Sequence, residues 1–202
     1  PCKVCIELAN KTSEVGLLQC HTALDIDIMF AFCYELVWRN EKSMSGYSDY
    51  EVRNIYQIWD SYGKRFAAWN KEEFSAEQEE SVTQWFDVGM ALLREYRECG
   101  MDAEWDTVYE TLKSYAKLRW HGEQILQMER AKQALYHMDI PATRRYLSYC
   151  RLDKTDYELR LQALRIRVEL DEAEAVVEEF QRLIPEIRQA GVEQPENYLY
   201  YA

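Results

Sequence analysis

The chain has 202 residues, 48% hydrophobic and 13% aromatic, with only 7 Gly and 4 Pro and a net charge of −12. That composition excludes a disordered segment, and the scarcity of turn-forming residues argues against a sandwich or barrel of many short strands. The negative balance repels phosphates, so neither nucleic acid nor an anionic membrane surface is an expected partner.

In chain order, helices are expected over 12–20 and 22–39. The second contains the most apolar stretch, 26–38, which Asp27 and Glu35 interrupt and which is too short to cross a bilayer. A polar loop at 40–47 leads to Ser48-Asp49-Tyr50-Glu51, a capping box whose hydroxyl and carboxylate satisfy orphaned backbone N–H groups. Val52, Ile55, Tyr56, Trp59, Tyr62 and Phe66 follow at helical spacing, predicting a helix to about Trp69. Ser75-Ala76-Glu77-Gln78 repeats the box before Val82, Trp85, Phe86, Gly89, Leu92, Leu93 and Tyr96, and Gly100 supplies a stop. Asp102 is expected to cap a helix carrying Trp105, Val108, Tyr109 and Leu112, and another helix is expected over 123–138. Pro141 suits a first helical turn. Thr155-Asp156-Tyr157-Glu158 reads as a third capping box, and Asp171 as the cap of a last long helix in which Pro185 predicts a kink or early break. The segment 198–201 reads as the start of a further helix.

These elements form pairs, 76–99 with 102–120, 123–138 with 141–151 and 156–169 with 172–190. Their turns are spaced by about 38 and then about 33 residues, the period of a helical solenoid. The second and third pairs have the short first helix and tight turn of the tetratricopeptide repeat, which the region resembles. In that register Leu92 and Tyr96 fall on the family's first-helix positions and Gly100 on its inter-helix Gly. Ala163 and Ala175 fall on its small residues, while the family's first-helix Trp is absent from all three pairs. The expected fold is therefore all-α, an α-solenoid of antiparallel helix pairs over 48–202, preceded by an irregular helical segment over 1–47.

Little here suggests catalysis. The histidines, His21, His121 and His137, stand in no recognisable catalytic spacing, and no phosphate-binding glycine loop is present. The acidic run Glu72, Glu73, Glu77, Glu79 and Glu80 complements a helix start and faces water. Cys2-Lys3-Val4-Cys5 with Cys20-His21 lacks the second spaced pair that a structural zinc site requires. The expectation is no cofactor, no metal and cysteines kept free in a reducing, cytoplasmic compartment; a zinc site using Cys2, Cys5 and Cys20 is the lesser alternative.

Charge is the lead toward function. Residues 117–167 hold eleven Lys/Arg against six Asp/Glu, a net of +5 between flanks of −10 and −7. A basic island in an acidic chain recruits an acidic partner segment or a C-terminal carboxylate. In the tetratricopeptide-like register Arg94, Lys132 and Arg165 occupy equivalent first-helix positions, with Arg97 and Tyr136 beside them. These five residues are the expected partner-binding set of a non-catalytic interaction module that holds a peptide or partner segment in a concave groove. The alternative is a ligand- or peptide-sensing regulatory domain with an effector domain in cis, which the start at Pro1 without a Met suits.

Overall fold

A computed structural model describes residues 23–39, 44, 46–69 and 74–191. The expected helix at 12–20, Cys2, Cys5, Cys20, His21, Glu72, Glu73 and the segment 198–201 lie outside them. The described chain is all-helical, with helices packed on one another and no strand among the described residues. No helix among them is long and apolar enough to cross a membrane. The chain divides into two compact units, 1–120 and 121–202.

The first unit contains α1 (Ala23–Arg39), α2 (Asp49–Gly63), a 3₁₀ turn (Lys64–Ala68), α3 (Ala76–Glu98), α4 (Asp102–Ser114) and a second 3₁₀ turn (Ala116–Leu118). Both serine boxes form as expected. Ser48 N–H donates to Glu51 Oε2 at 2.7 Å, and Ser75 N–H donates to Gln78 Oε1 at 2.9 Å. Each serine hydroxyl accepts the reciprocal N–H, and such a cap contributes about 1 kcal/mol. Helices α1, α2 and α3 pack mutually, and α4 pairs with α3. Their core is aromatic: Trp59, Trp85, Phe86, Trp105 and Phe66 are fully buried. Phe66 meets Trp85 edge-on at 5.2 Å, and Phe30 stacks on Tyr62 at 3.9 Å. The α4 helix ends earlier than expected, at Ser114, where the Tyr115 ring turns edge-on to Trp85 at 5.4 Å.

The second unit contains α5 (Gly122–Tyr136), α6 (Ile140–Tyr149), α7 (Tyr157–Glu169) and α8 (Ala173–Gln189). Helix α5 packs on both α6 and α7, and α7 packs on α8. Helix α7 is therefore apolar on two sides. Leu161 and Leu164 meet Val176, Phe180, Leu183 and Ile187, while Ile166 and Leu170 share a cluster with Met128 and Ala131. Helices α5 and α7 run parallel, because His121 at the start of one meets Asp156 at the start of the other.

Three similar turns stand at the spacing expected from the sequence. At the ends of α3, α5 and α7 the chain enters the left-handed region at Gly100 (φ 66°), Met138 (φ 58°) and Asp171 (φ 61°). Each turn closes with the same two hydrogen bonds. Met101 N–H donates to Tyr96 O, Asp139 N–H to Ala134 O and Glu172 N–H to Arg167 O, with a shorter bond inside each.

Three expected caps are corrected. Met101, held by the turn bond to Tyr96, is the residue before α4, so Asp102 is the first helical residue and makes no cap. Asp171 ends α7 in the left-handed conformation and does not cap α8, whose preceding residue is Glu172. The box at Thr155 does not form. Asp156 precedes α7, and its carboxylate accepts the Asp153 N–H at 3.1 Å instead of an N–H of α7. Finally, α8 runs unbroken past Pro185. Pro185 and Gln181, whose carbonyl lacks the usual i+4 donor, both lie on the exposed side of the helix.

Candidate functional site

The expected binding residues divide between the units. Arg94 is exposed and Arg97 half-buried on α3, whereas Lys132 and Tyr136 lie on α5 and Arg165, exposed, on α7. The second unit thus brings three of the five onto neighbouring parallel helices. Lys132 is half-buried and paired with Glu129, itself 4% exposed, so its ammonium is committed to holding a buried carboxylate. Tyr136 is 48% exposed at the end of α5, and Val168 is 39% exposed three residues beyond Arg165 on α7. Of the residues carrying the tetratricopeptide resemblance, Leu92 and Tyr96 are buried and Ala175 is exposed.

Much of the basic segment balances acids. Arg119 turns inward to Asp87 at 3.2 Å, in the first unit. Arg160 meets Glu186 at 2.7 Å, bridging α7 and α8. Arg144 and Arg167 both engage Glu172, and Arg167 also reaches Glu179, which fixes the α7–α8 turn. The hydrogen bond from Arg167, followed by that from Arg144, holds the Glu172 carboxyl below its ordinary range. Arg130 and Arg145 converge on Tyr146. Their hydrogen bonds to its phenol, Arg130's foremost, lower that group's pKa, and the guanidiniums lie 5.9 and 5.2 Å from its ring. The surface left with positive charge is therefore narrower than the residue count implies, and of the expected cations on α5 and α7 Arg165 is exposed and Lys132 half-buried.

Two features were not singled out in the sequence. The first is a cavity of about 330 Å³ in the first unit, lined by Arg53, Tyr56, Tyr96, Met101, Glu104 and Thr107. Burial, then the neighbouring Tyr56 and Glu104, push the Tyr96 phenol up to about 12. The second is the approach of His121 to Asp153 and Asp156 at the starts of α5 and α7. The only sequence signal for it is the separation of 35 residues between His121 and Asp156, close to the repeat period.

The fold and these surfaces define an all-α protein of packed helix pairs. In comparison with known proteins, no family model, curated protein or solved structure matches the chain.

Proposed function

We propose that the chain is a non-catalytic protein-interaction module. Its helix pairs stack as a short α-solenoid, and an acidic peptide or partner segment lies in its groove, along the exposed side chains of α5 and α7. The observation that carries this reading is the exposure of Tyr136 on α5 and of Arg165 and Val168 on the neighbouring parallel helix α7. An exposed aromatic and an exposed guanidinium together give a peptide both a surface to cover and a charge to meet. Arg165, exposed on α7, carries the electrostatic part, Tyr136 the apolar part, and Lys132, half-buried against Glu129, a lesser part. Arg94 and Arg97 are the equivalent candidates on α3. An array of acidic and neutral peptides tests the reading: acidic peptides should be retained at low salt and released as ionic strength rises. Equal retention of neutral peptides would sink it.

The cavity beside Tyr96 favours a second reading, a regulatory domain that senses a small ligand or peptide end. Thr107→Trp would fill that cavity. If sensing resides there, this variant loses ligand-induced thermal stabilisation while peptide binding on α5 and α7 persists.

A further inference from the structure

Three side chains with metal-binding atoms converge where α5 and α7 begin. His121 Nδ1 stands 3.3 Å from Asp156 Oδ2, and the ligand atoms of His121, Asp153 and Asp156 all lie within 4.8 Å of one another. The side chains of His121 and Asp156 are 12% and 11% exposed, while Asp153 is open to solvent. The fold builds this meeting. His121 immediately precedes α5, Asp156 immediately precedes α7, and the parallel packing of the two helices sets their starts side by side. The loop is further tied by Asp153 N–H donating to Asp156 Oδ2 at 3.1 Å and Asp156 N–H to Asp153 O at 3.1 Å.

The charge around the two carboxylates is the second observation. They sit in the most basic stretch of the chain, yet among the described residues no Lys or Arg pairs with either of them. The adjacent cation does not serve them: the Arg160 guanidinium goes to the Lys154 carbonyl at 2.8 Å and to Glu186 at 2.7 Å. Two acids this close, one of them almost buried beside an imidazole and a backbone N–H, form a site that a cation completes.

We propose that His121, Asp153 and Asp156 bind a divalent transition-metal ion of the zinc class, tying the start of α5 to the start of α7. The imidazole nitrogen selects such an ion over calcium or magnesium, which prefer oxygen-only shells. Ligand atoms about 2.1 Å from a tetrahedral ion stand about 3.4 Å apart. The His121–Asp156 pair already has that separation, and the exposed Asp153 is the side chain able to close in. Three protein ligands leave a position for water.

The test uses the full chain, stripped with chelator and titrated with Zn²⁺ by calorimetry and with Co²⁺ by visible absorption. His121→Gly and Asp153→Asn are the variants. Glycine suits the left-handed backbone at 121 (φ 54°), and Asp153 is exposed, so both should fold. One equivalent should bind, with a cobalt spectrum lacking a thiolate charge-transfer band, and each variant should bind at least about tenfold more weakly. No saturable binding below about 1 mM would overturn the proposal. So would equal affinity in both variants, or a thiolate band that reports the cysteines as ligands.

Discussion

The indole rings of Trp59 and Trp85 stack 4.7 Å apart and within 4° of parallel, and each donates its N–H to the other's backbone carbonyl, at 2.9 and 2.8 Å. Both rings are fully buried. The reciprocal bonds satisfy two indole N–H groups that would otherwise be desolvated without partners, and they lock α2 to α3 in a single register. Two glycines let the helices approach so closely. A Cβ on Gly63 would come within 2.6 Å of the Trp85 ring, and one on Gly89 within 3.0 Å of the Trp59 ring.

Gly63→Ala should therefore destabilise the first unit by about 1–3 kcal/mol, since the Trp85 ring it strikes is hydrogen-bonded and cannot swing away. Trp59→Phe should cost about 2–4 kcal/mol through lost volume and the lost indole donor. Urea unfolding followed by far-ultraviolet circular dichroism measures both. A neutral Gly63→Ala would contradict the close packing.

Equivalent turn positions should respond with opposite signs. Met138 and Gly100 share the left-handed conformation, but only Gly100 adopts it without steric cost. Met138→Gly should raise stability by about 1 kcal/mol, and Gly100→Ala should lower it by about 1 kcal/mol. Met138 is 76% exposed, so little packing is lost with its side chain. Thermal unfolding of the two variants gives the comparison.

Alkaline titration should report Tyr96. Its phenol is raised to about 12 in the folded chain, foremost by burial, from the ordinary tyrosine value of 10.0. A raised pKa contributes stability that is complete below the unfolded value and is lost as pH rises from 10.0 toward about 12. Tyrosinate absorbance should show this group ionising in a late phase, and Tyr96→Phe should remove that phase. A late phase unchanged by that substitution would show that another tyrosine titrates there.

Several local signals were legible, although the local pattern at Thr155 did not become a cap. The serine boxes, the stripe from Val82 to Tyr96 and the proline at the start of α6 each depend on residues within one helix, and the helices formed where they indicated. Signals that cross between helices were not legible. Trp59 and Trp85 look like ordinary core residues until their 26-residue separation is closed by packing. Arg144 and Glu172 are 28 residues apart and Arg119 and Asp87 are 32 apart, so a tally of charges could not show which cations are already matched. Left-handed turns at Met138 and Asp171 carry no glycine to announce them, which is also why Asp171 reads as a cap. The proposed partner surface narrows for a related reason, from five residues of equal standing to Tyr136 and Arg165 foremost, because burial shows in the fold and not in the sequence.

The structure also changes how that surface is tested. Reversing Lys132 would set a second carboxylate beside the buried Glu129 and threaten the fold. Arg165→Glu and Tyr136→Ala alter exposed side chains and leave the core intact. Calorimetric titration of an array-selected acidic peptide into the chain and these two variants is the most direct measurement. Binding should weaken by about tenfold or more in each variant, with Lys113→Glu on α4, an exposed control in the first unit, unchanged. Undiminished affinity in both Arg165→Glu and Tyr136→Ala, with helix content intact, would contradict the assignment of the α5 and α7 face as the binding surface.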